Sequence, residues 1–205
     1  MKFTKIPSTT FQKIQLNAGV LLSEFDPAQP VVQDSKIIGA TSGGNSFEAT
    51  PSFVDFGEDI DNCPKNMKEL KQLESWDVKM SGTFVTLDTA SAKRVVGAAD
   101  VSESDSTKIV PRSDLVSADF TDIWWVGDYS DETNDTKGGF IAIKMMNALS
   151  TGGLKIQSSD KAKGQFAYEF TAHVSMAAQE VVPFEVYIVA GEAEGQTAGS
   201  GSVQQ

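Results

Sequence analysis

Alternation of apolar and polar residues is the strongest signal in the chain. In QFAYEFTAHVSM, Phe166, Tyr168, Phe170, Ala172, Val174 and Met176 fall on one face. Gln165, Ala167, Glu169, Thr171, His173 and Ser175 fall on the other. This pattern predicts a long, half-buried antiparallel strand over 165–176. GGLKIQS before it alternates in the same way, and SDKAKG joins the two as a polar hairpin loop. FIAIKMMNAL, PFEVYIVAG, SFEATPSFVDF and DIWWVGDY read as further strands, with Pro51 placing the third at an edge or a bend. A strand from Trp76 also ends in a face switch: Trp76, Val78, Met80 and Phe84 share one side, Val85 and Leu87 the other. A bulge at Gly82 is the expected cause.

Helical spacing occurs twice. PKNMKELKQLES has Pro64 suited to a first helical position, with Met67, Leu70 and Leu73 on one side. After Asp88, a suitable N-cap, Ala92, Val95, Val96 and Ala99 recur at i, i+3, i+4 and i+7, with Lys93 and Arg94 turned away from that stripe. The predicted fold is therefore mainly β, with sandwich- or barrel-forming antiparallel sheets and one or two short helices beside them. Residues 1–190 form one domain, and the Gly/Ser-rich residues 191–205 form a flexible tail.

Residues 26–46 stand out as a long loop. Pro, Gly and Ser crowd its ends, and its apolar content is Val31, Val32, Ile37 and Ile38. So few apolar side chains predict a segment that is loose in a single copy and orders against a neighbouring one, with Gly43 and Gly44 resisting a fixed backbone. Val31, Val32, Ile37, Ile38, Gly43 and Gly44 are the candidate assembly contacts. The polar positions Lys155, Gln157, Glu169 and Thr171 are candidates for a surface that lines a channel or faces outward.

Composition narrows the function. The chain has 205 residues and 40% hydrophobic content, enough for one large core without cross-links. Its single Cys63 excludes an internal disulfide and a CxxC site, and its single His173 excludes His-rich zinc patterns. The N-terminus has no apolar run of the secretory type and no stretch approaches a membrane span, so synthesis in the cytoplasm is expected. With a net charge of −11, a sequence-reading DNA-binding role is disfavoured, because phosphate contacts need a basic footprint. Ten acids lie between Asp100 and Asp135 against Lys108 and Arg112 alone.

Little in the chain looks catalytic. His173 reads as an ordinary sheet histidine, without a visible nucleophile partner. DYSDETND holds Asp128, Asp131 and Asp135, but Thr133 stands where a calcium loop of the EF-hand type needs glycine, so it reads as a solvated acidic turn. SGG and TGG lead into no phosphate-binding loop. Trp124 and Trp125 point to opposite sides of one strand; such a pair also occurs on carbohydrate-binding sheets. Cys63 is expected beside a helix cap. No catalytic residue, metal ligand or cofactor site is expected.

The order of segments is distinctive. LNAGVLLSEFDP, IIGATSGGNSFEATPSFVDFGEDIDNCPKNMKELKQLESWDVKMSGTF, TASAKRVVGAADV, IVPRSDL, DIWWVGDYSD, IAIKMMNALSTGGLKIQSSDKAKGQFAYEFTAHVSM and VPFEVYI follow one another between residues 16 and 189. This series resembles the major tail tube proteins of long-tailed (siphovirus-type) phages, in the branch that infects Gram-positive bacteria. The resemblance implies a non-enzymatic virion protein without cofactors. Its partners would be further copies of itself, in stacked six-membered rings, together with tape measure, tail terminator and baseplate or tail-tip proteins. DNA would pass through the lumen without specific binding, and the protein would have no membrane association. Long amphipathic strands suit edge pairing between copies, and an acidic wall suits unhindered passage of DNA. The alternative reading is a virion or cell-surface carbohydrate-binding β-module.

Overall fold

Long alternating segments pair in the computed structural model, which describes residues 5–7, 10–129, 136–137, 139–190 and 192–193. β1 (Gln15–Leu22) comes first, followed by β2 (Thr41–Asp55) and β3 (Lys71–Phe84), which form one long hairpin. After α1 (Thr89–Val96) come a small ribbon, β4 (Ala99–Ser102) with β5 (Asp105–Pro111), and then β6 (Thr121–Tyr129). The chain continues through β7 (Thr136–Lys137), β8 (Gly139–Ser150), β9 (Lys155–Gln157), β10 (Gln165–Thr171), β11 (Phe184–Val189) and β12 (Glu192–Ala193). Every strand pairing is antiparallel.

The main sheet folds over into two layers. β1, β6, β8 and β11 make one, and β2, β3 and β10, with β9 beside the start of β10, make the other. β8 belongs to both: it pairs with β6 and β11 along most of its length, then with β10 at Leu149 and Ser150. The crossing is made at a bulge, where two steps of β6, Thr121 to Ile123, face three steps of β8, Ala148 to Met145. Asn147 sits in the bulge at φ 48°, a left-handed conformation that asparagine tolerates. Its amide is held by Asp122 Oδ1 at 3.1 Å.

Between the layers Leu21, Val78, Met80, Phe84, Ile123, Met145, Tyr168 and Phe170 are buried together. Each large side chain removed from water stabilises by about 1.5–3 kcal/mol. A second cluster, Leu22, Phe25, Trp124, Val126 and Ala142, covers the outer face of the β1–β6–β8 layer. α1 closes one end of the core with Val95, fully buried. Its Asp88 cap accepts from the Ser91 amide at 2.7 Å, and Ser91 returns the bond to the Asp88 amide.

The predicted strands are present, with Pro51 on the edge strand β2. The local expectations that fail do so for identifiable reasons. The strand over 165–176 stops at Thr171. The Ala172 amide still reaches the Val78 carbonyl, but His173 turns to Met146 and Asn147, leaving Val174 and Met176 exposed. No helix forms over 64–75; turns at Asn62 and Asn66, both at φ 61°, lead into β3, and pairing with β2 outweighs helical spacing. The bulge expected at Gly82 lies across from it on β2, where the four steps from Thr41 to Asn45 face two on β3. Gly43 and Gly44, at φ 81° and 85°, absorb it. Val85 and Leu87 change sides because β3 ends at Phe84. The α1 stripe ends at Val96, and Ala99 already belongs to β4. Of residues 191–205, Glu192 and Ala193 pair with Lys137 and Thr136; the rest of the expected tail lies outside the described residues.

Candidate assembly surfaces

Strand pleat puts alternate residues of β2, β3, β10 and β9 on one outward face. The register aligns Glu48, Lys79 and Thr171 in one row, Ser46, Ser81 and Glu169 in the next, and Thr83, Ala167 and Lys155 in a third. Gln157 lies opposite Gln165 on the same face. The structure thus gathers all four polar candidates, Lys155, Gln157, Glu169 and Thr171, on one surface, and adds residues of β2 and β3 that sequence reading had not assigned. Lys79 bonds to Asp77 at 2.7 Å; that bond, with the negative charges of Glu169 and Glu48 nearby, raises the lysine above its ordinary pKa. Thr151 donates to Glu169 at 3.2 Å and lies 2.8 Å from the Thr171 hydroxyl. Three carboxylates (Glu48, Asp77, Glu169) stand against two ammonium groups (Lys79, Lys155), so the face carries a small negative charge and no large apolar side chain.

A second surface is the far end of the β2–β3 hairpin. The β10 ladder ends opposite Lys79, with one further bond to Val78. Beyond that point, among the described strands, β2 and β3 pair only with each other, down to Asp55 and Lys71. Phe53 and Leu73 face one another there, 52% and 46% exposed, and Phe56 and Ile60 are 58% and 52% exposed in the connection. Asp55 ties that connection together, accepting from the amides of Gly57 and Asn66, each at 2.9 Å; these bonds hold its carboxyl below the usual carboxylate range. Sequence reading missed this arm because Met67, Leu70 and Leu73 fit a helical stripe. Residues 71–74 offer no apolar–polar alternation to compete with it, since Lys71, Gln72 and Glu74 surround a single apolar Leu73.

Residues 26–46 divide into parts with different roles. Residues 41–46 belong to β2, with Gly43 and Gly44 in its bulge. Ile38 is not available to a neighbour: its amide donates to the Leu21 carbonyl at 2.9 Å and its side chain, 7% exposed, joins the central core. Ile37 bridges to Leu22 and is partly exposed. Val31 and Val32 stay open to a partner, at 68% and 42% exposure. The segment is therefore anchored within its own subunit at both ends, with an exposed valine pair between them.

The residues considered for chemistry are dispersed. His173 is half-buried, its ring edge-on to Phe120 and its Nδ1 3.2 Å from the Asn147 carbonyl. Cys63 lies in the hairpin connection 3.5 Å from Met67 Sδ, not beside a helix cap. Trp124 is buried against Phe25 and Tyr187. Trp125 packs on the core between Gly19 and Gly127 and donates to the Ala18 carbonyl at 3.0 Å. The acidic run is partly neutralised: Arg112 joins Asp100 and Asp119, and Lys144 pairs with Asp122 at 3.2 Å. Asp131, Glu132 and Asp135 of the acidic turn lie outside the described residues. Among the described residues no group of three His, Cys, Asp or Glu is placed to hold a metal ion, and no helix is long and apolar enough to cross a membrane. Compared with models of known protein families and with curated proteins, the chain matches none.

Proposed function

We propose that this chain is the structural subunit of a phage tail tube: copies pair edge to edge into rings, six to a ring as in the proteins it resembles, and the rings stack into a channel for DNA. The observation that carries the reading is the β2–β3 arm. It runs past the body of the sandwich and exposes Phe53, Phe56, Ile60 and Leu73, a set of side chains that gains stability only when another surface covers them. The polar face of β2, β3, β10 and β9 suits a lumen, because its hydroxyls and slight negative charge attract no phosphate. Among the described residues the outer edges of β2 and β11, and of β1 before Leu21, carry no further strand and suit strand pairing between copies, and Val186 and Ile188 on β11 are exposed at 48% and 62%.

In this reading the partners are further copies of the chain and the tape measure, tail terminator and tail-tip proteins of the same virion, and the chemistry is assembly alone. The carbohydrate-binding alternative loses its specific support, since Trp124 is covered and Trp125 is flanked by backbone on the core side. Electron microscopy and sedimentation of the purified protein test the proposal. Rings or tubes of uniform diameter are expected; a monodisperse monomer at all concentrations overturns it.

A further inference from the structure

We propose that the cavity beside α1 is a receptor for the acidic tip of the β2–β3 arm, residues 57–62, of a second copy of this chain. The inference rests on the tube-subunit reading above and assigns a contact that joins two copies. The cavity, about 270 Å³, has Ala90, Ala118 and Phe170 on its wall together with Lys93, Arg94 and the carboxylate Asp119. It is of side-chain size, below the roughly 300 Å³ at which small-molecule pockets begin.

Helical spacing turns Arg94 away from the apolar stripe of α1. The residue is nonetheless partly buried and donates to Thr121 Oγ1 at 2.9 Å. A guanidinium has five N–H donors and stays charged under all ordinary conditions. No carboxylate among the described residues lies within ion-pair distance of Arg94. Burial alone pulls its pKa down. The nearby carboxylates are committed elsewhere: Asp119 to Arg112, and Asp100 to Arg112 at 2.7 Å with Lys93 at 4.0 Å. Three cations thus meet two anions at this spot, in a chain whose net charge is −11.

The tip of the arm has the complementary chemistry. Glu58, Asp59 and Asp61 are exposed and form no ion pair among the described residues, and Ile60 between them is 52% exposed. One apolar side chain flanked by carboxylates matches an apolar cavity with an unpaired guanidinium at its wall. The tip is exposed in its own subunit, so the occupant comes from another copy. Another basic place, Lys155, Lys161 and Lys163 around the β9–β10 turn, is open to solvent, as are Lys65 and Lys68 beside the arm's own tip, and ion pairs there are weak and screened. A charge-assisted bond to a partly desolvated guanidinium is stronger.

The test uses the full chain in a Cys63→Ser background. Chains carrying Ile60→Cys are mixed with chains carrying Ala90→Cys, allowed to assemble, and oxidised; a disulfide-linked dimer between the two is expected, and none from Ile60→Cys to Lys161→Cys. Separately, Arg94→Gln, which keeps a donor for Thr121, and the triple variant Glu58→Lys, Asp59→Lys, Asp61→Lys should each raise the concentration needed for assembly by roughly tenfold. Thermal melts of the unassembled variants check that each still folds. Assembly of both charge variants at the ordinary concentration, or cross-linking at residue 161 in place of residue 90, overturns this inference and leaves the tube reading standing. Failure of the unsubstituted chain to assemble at all overturns both.

Discussion

Gly82 sits beneath the phenol of Tyr168, and a Cβ there would lie 2.8 Å from the ring's Cζ, too close for any real pair. The hydroxyl of Tyr168 donates to Asn45 beside the glycine-rich bulge of β2, and burial raises the phenol above its ordinary pKa. Gly82→Ala is therefore expected to destabilise by about 1–3 kcal/mol through overpacking, read as a lowered melting temperature of the unassembled subunit. Gly82 was marked in the sequence as irregular; that a tyrosine two strand positions from the bulge requires it was not legible there. His173 gives the opposite contrast. Its edge-on contact with Phe120 makes His173→Ala cost about 1 kcal/mol in stability, more than a solvated sheet residue, while assembly is retained. Loss of assembly in a variant with an unchanged melt would reveal a role beyond packing.

Two neighbouring elements show why short-range patterns succeed in one place and fail in another. α1 follows its signals, since Asp88, the apolar Ala92 and Val95, and Gly97 at φ 86° are all local to the helix. Asp88→Ala should cost about 1 kcal/mol. The bonds from Ser91 hold the carboxyl below the usual carboxylate range, so its contribution is fully present above the unfolded value and fades as the pH falls through the lower, folded value. A melting series from pH 6 to pH 2 should therefore show the gap between wild type and Asp88→Ala closing at the acid end. The hairpin arm has equally good local helix signals and ignores them, because Phe53 opposite Leu73 supplies a ladder that a helix would forfeit. Replacing residues 56–70 with Asn-Gly, a turn suited to a two-residue hairpin, should leave a folded subunit that no longer builds long tubes. Tubes of normal length from that variant would move the stacking contact to Val31 and Val32.

The placement of one polar face over β2, β3, β10 and β9 makes an expectation about the assembled particle. With Thr171→Cys in a Cys63→Ser background, a polymer-bulked maleimide should label the free subunit fully and the closed tube only slightly, because the lumen excludes it. Full labelling of tubes would place that face outside and transfer the channel to another surface. The same tubes should not retard duplex DNA on a gel at low salt, given three carboxylates against two ammonium groups on each subunit's face. Glu169→Lys with Asp77→Lys inverts that balance, and retardation that falls steeply with added salt is then expected.

The main stretches of β2, β6, β8, β10 and β11, the α1 cap and the lack of a cysteine or histidine framework were determined by the sequence alone, because each depends on residues within about ten positions of one another or on composition. Phe166 to Ala172 alternate whatever lies beside them. What only tertiary structure decided was where each pattern stops and what it faces. Val174 and Met176 continue the alternation of β10 but are exposed, since among the described residues no strand accompanies them past Val78. Ile38 resembles the other apolar residues of its loop until the carbonyl of Leu21 draws it into the core. Arg94 looks solvated on a helical wheel and is partly buried because Thr121 and Phe170 lie across the cavity from α1. In each case the deciding partner is distant in sequence, and the free energy of that pairing outweighs the local propensity of the segment.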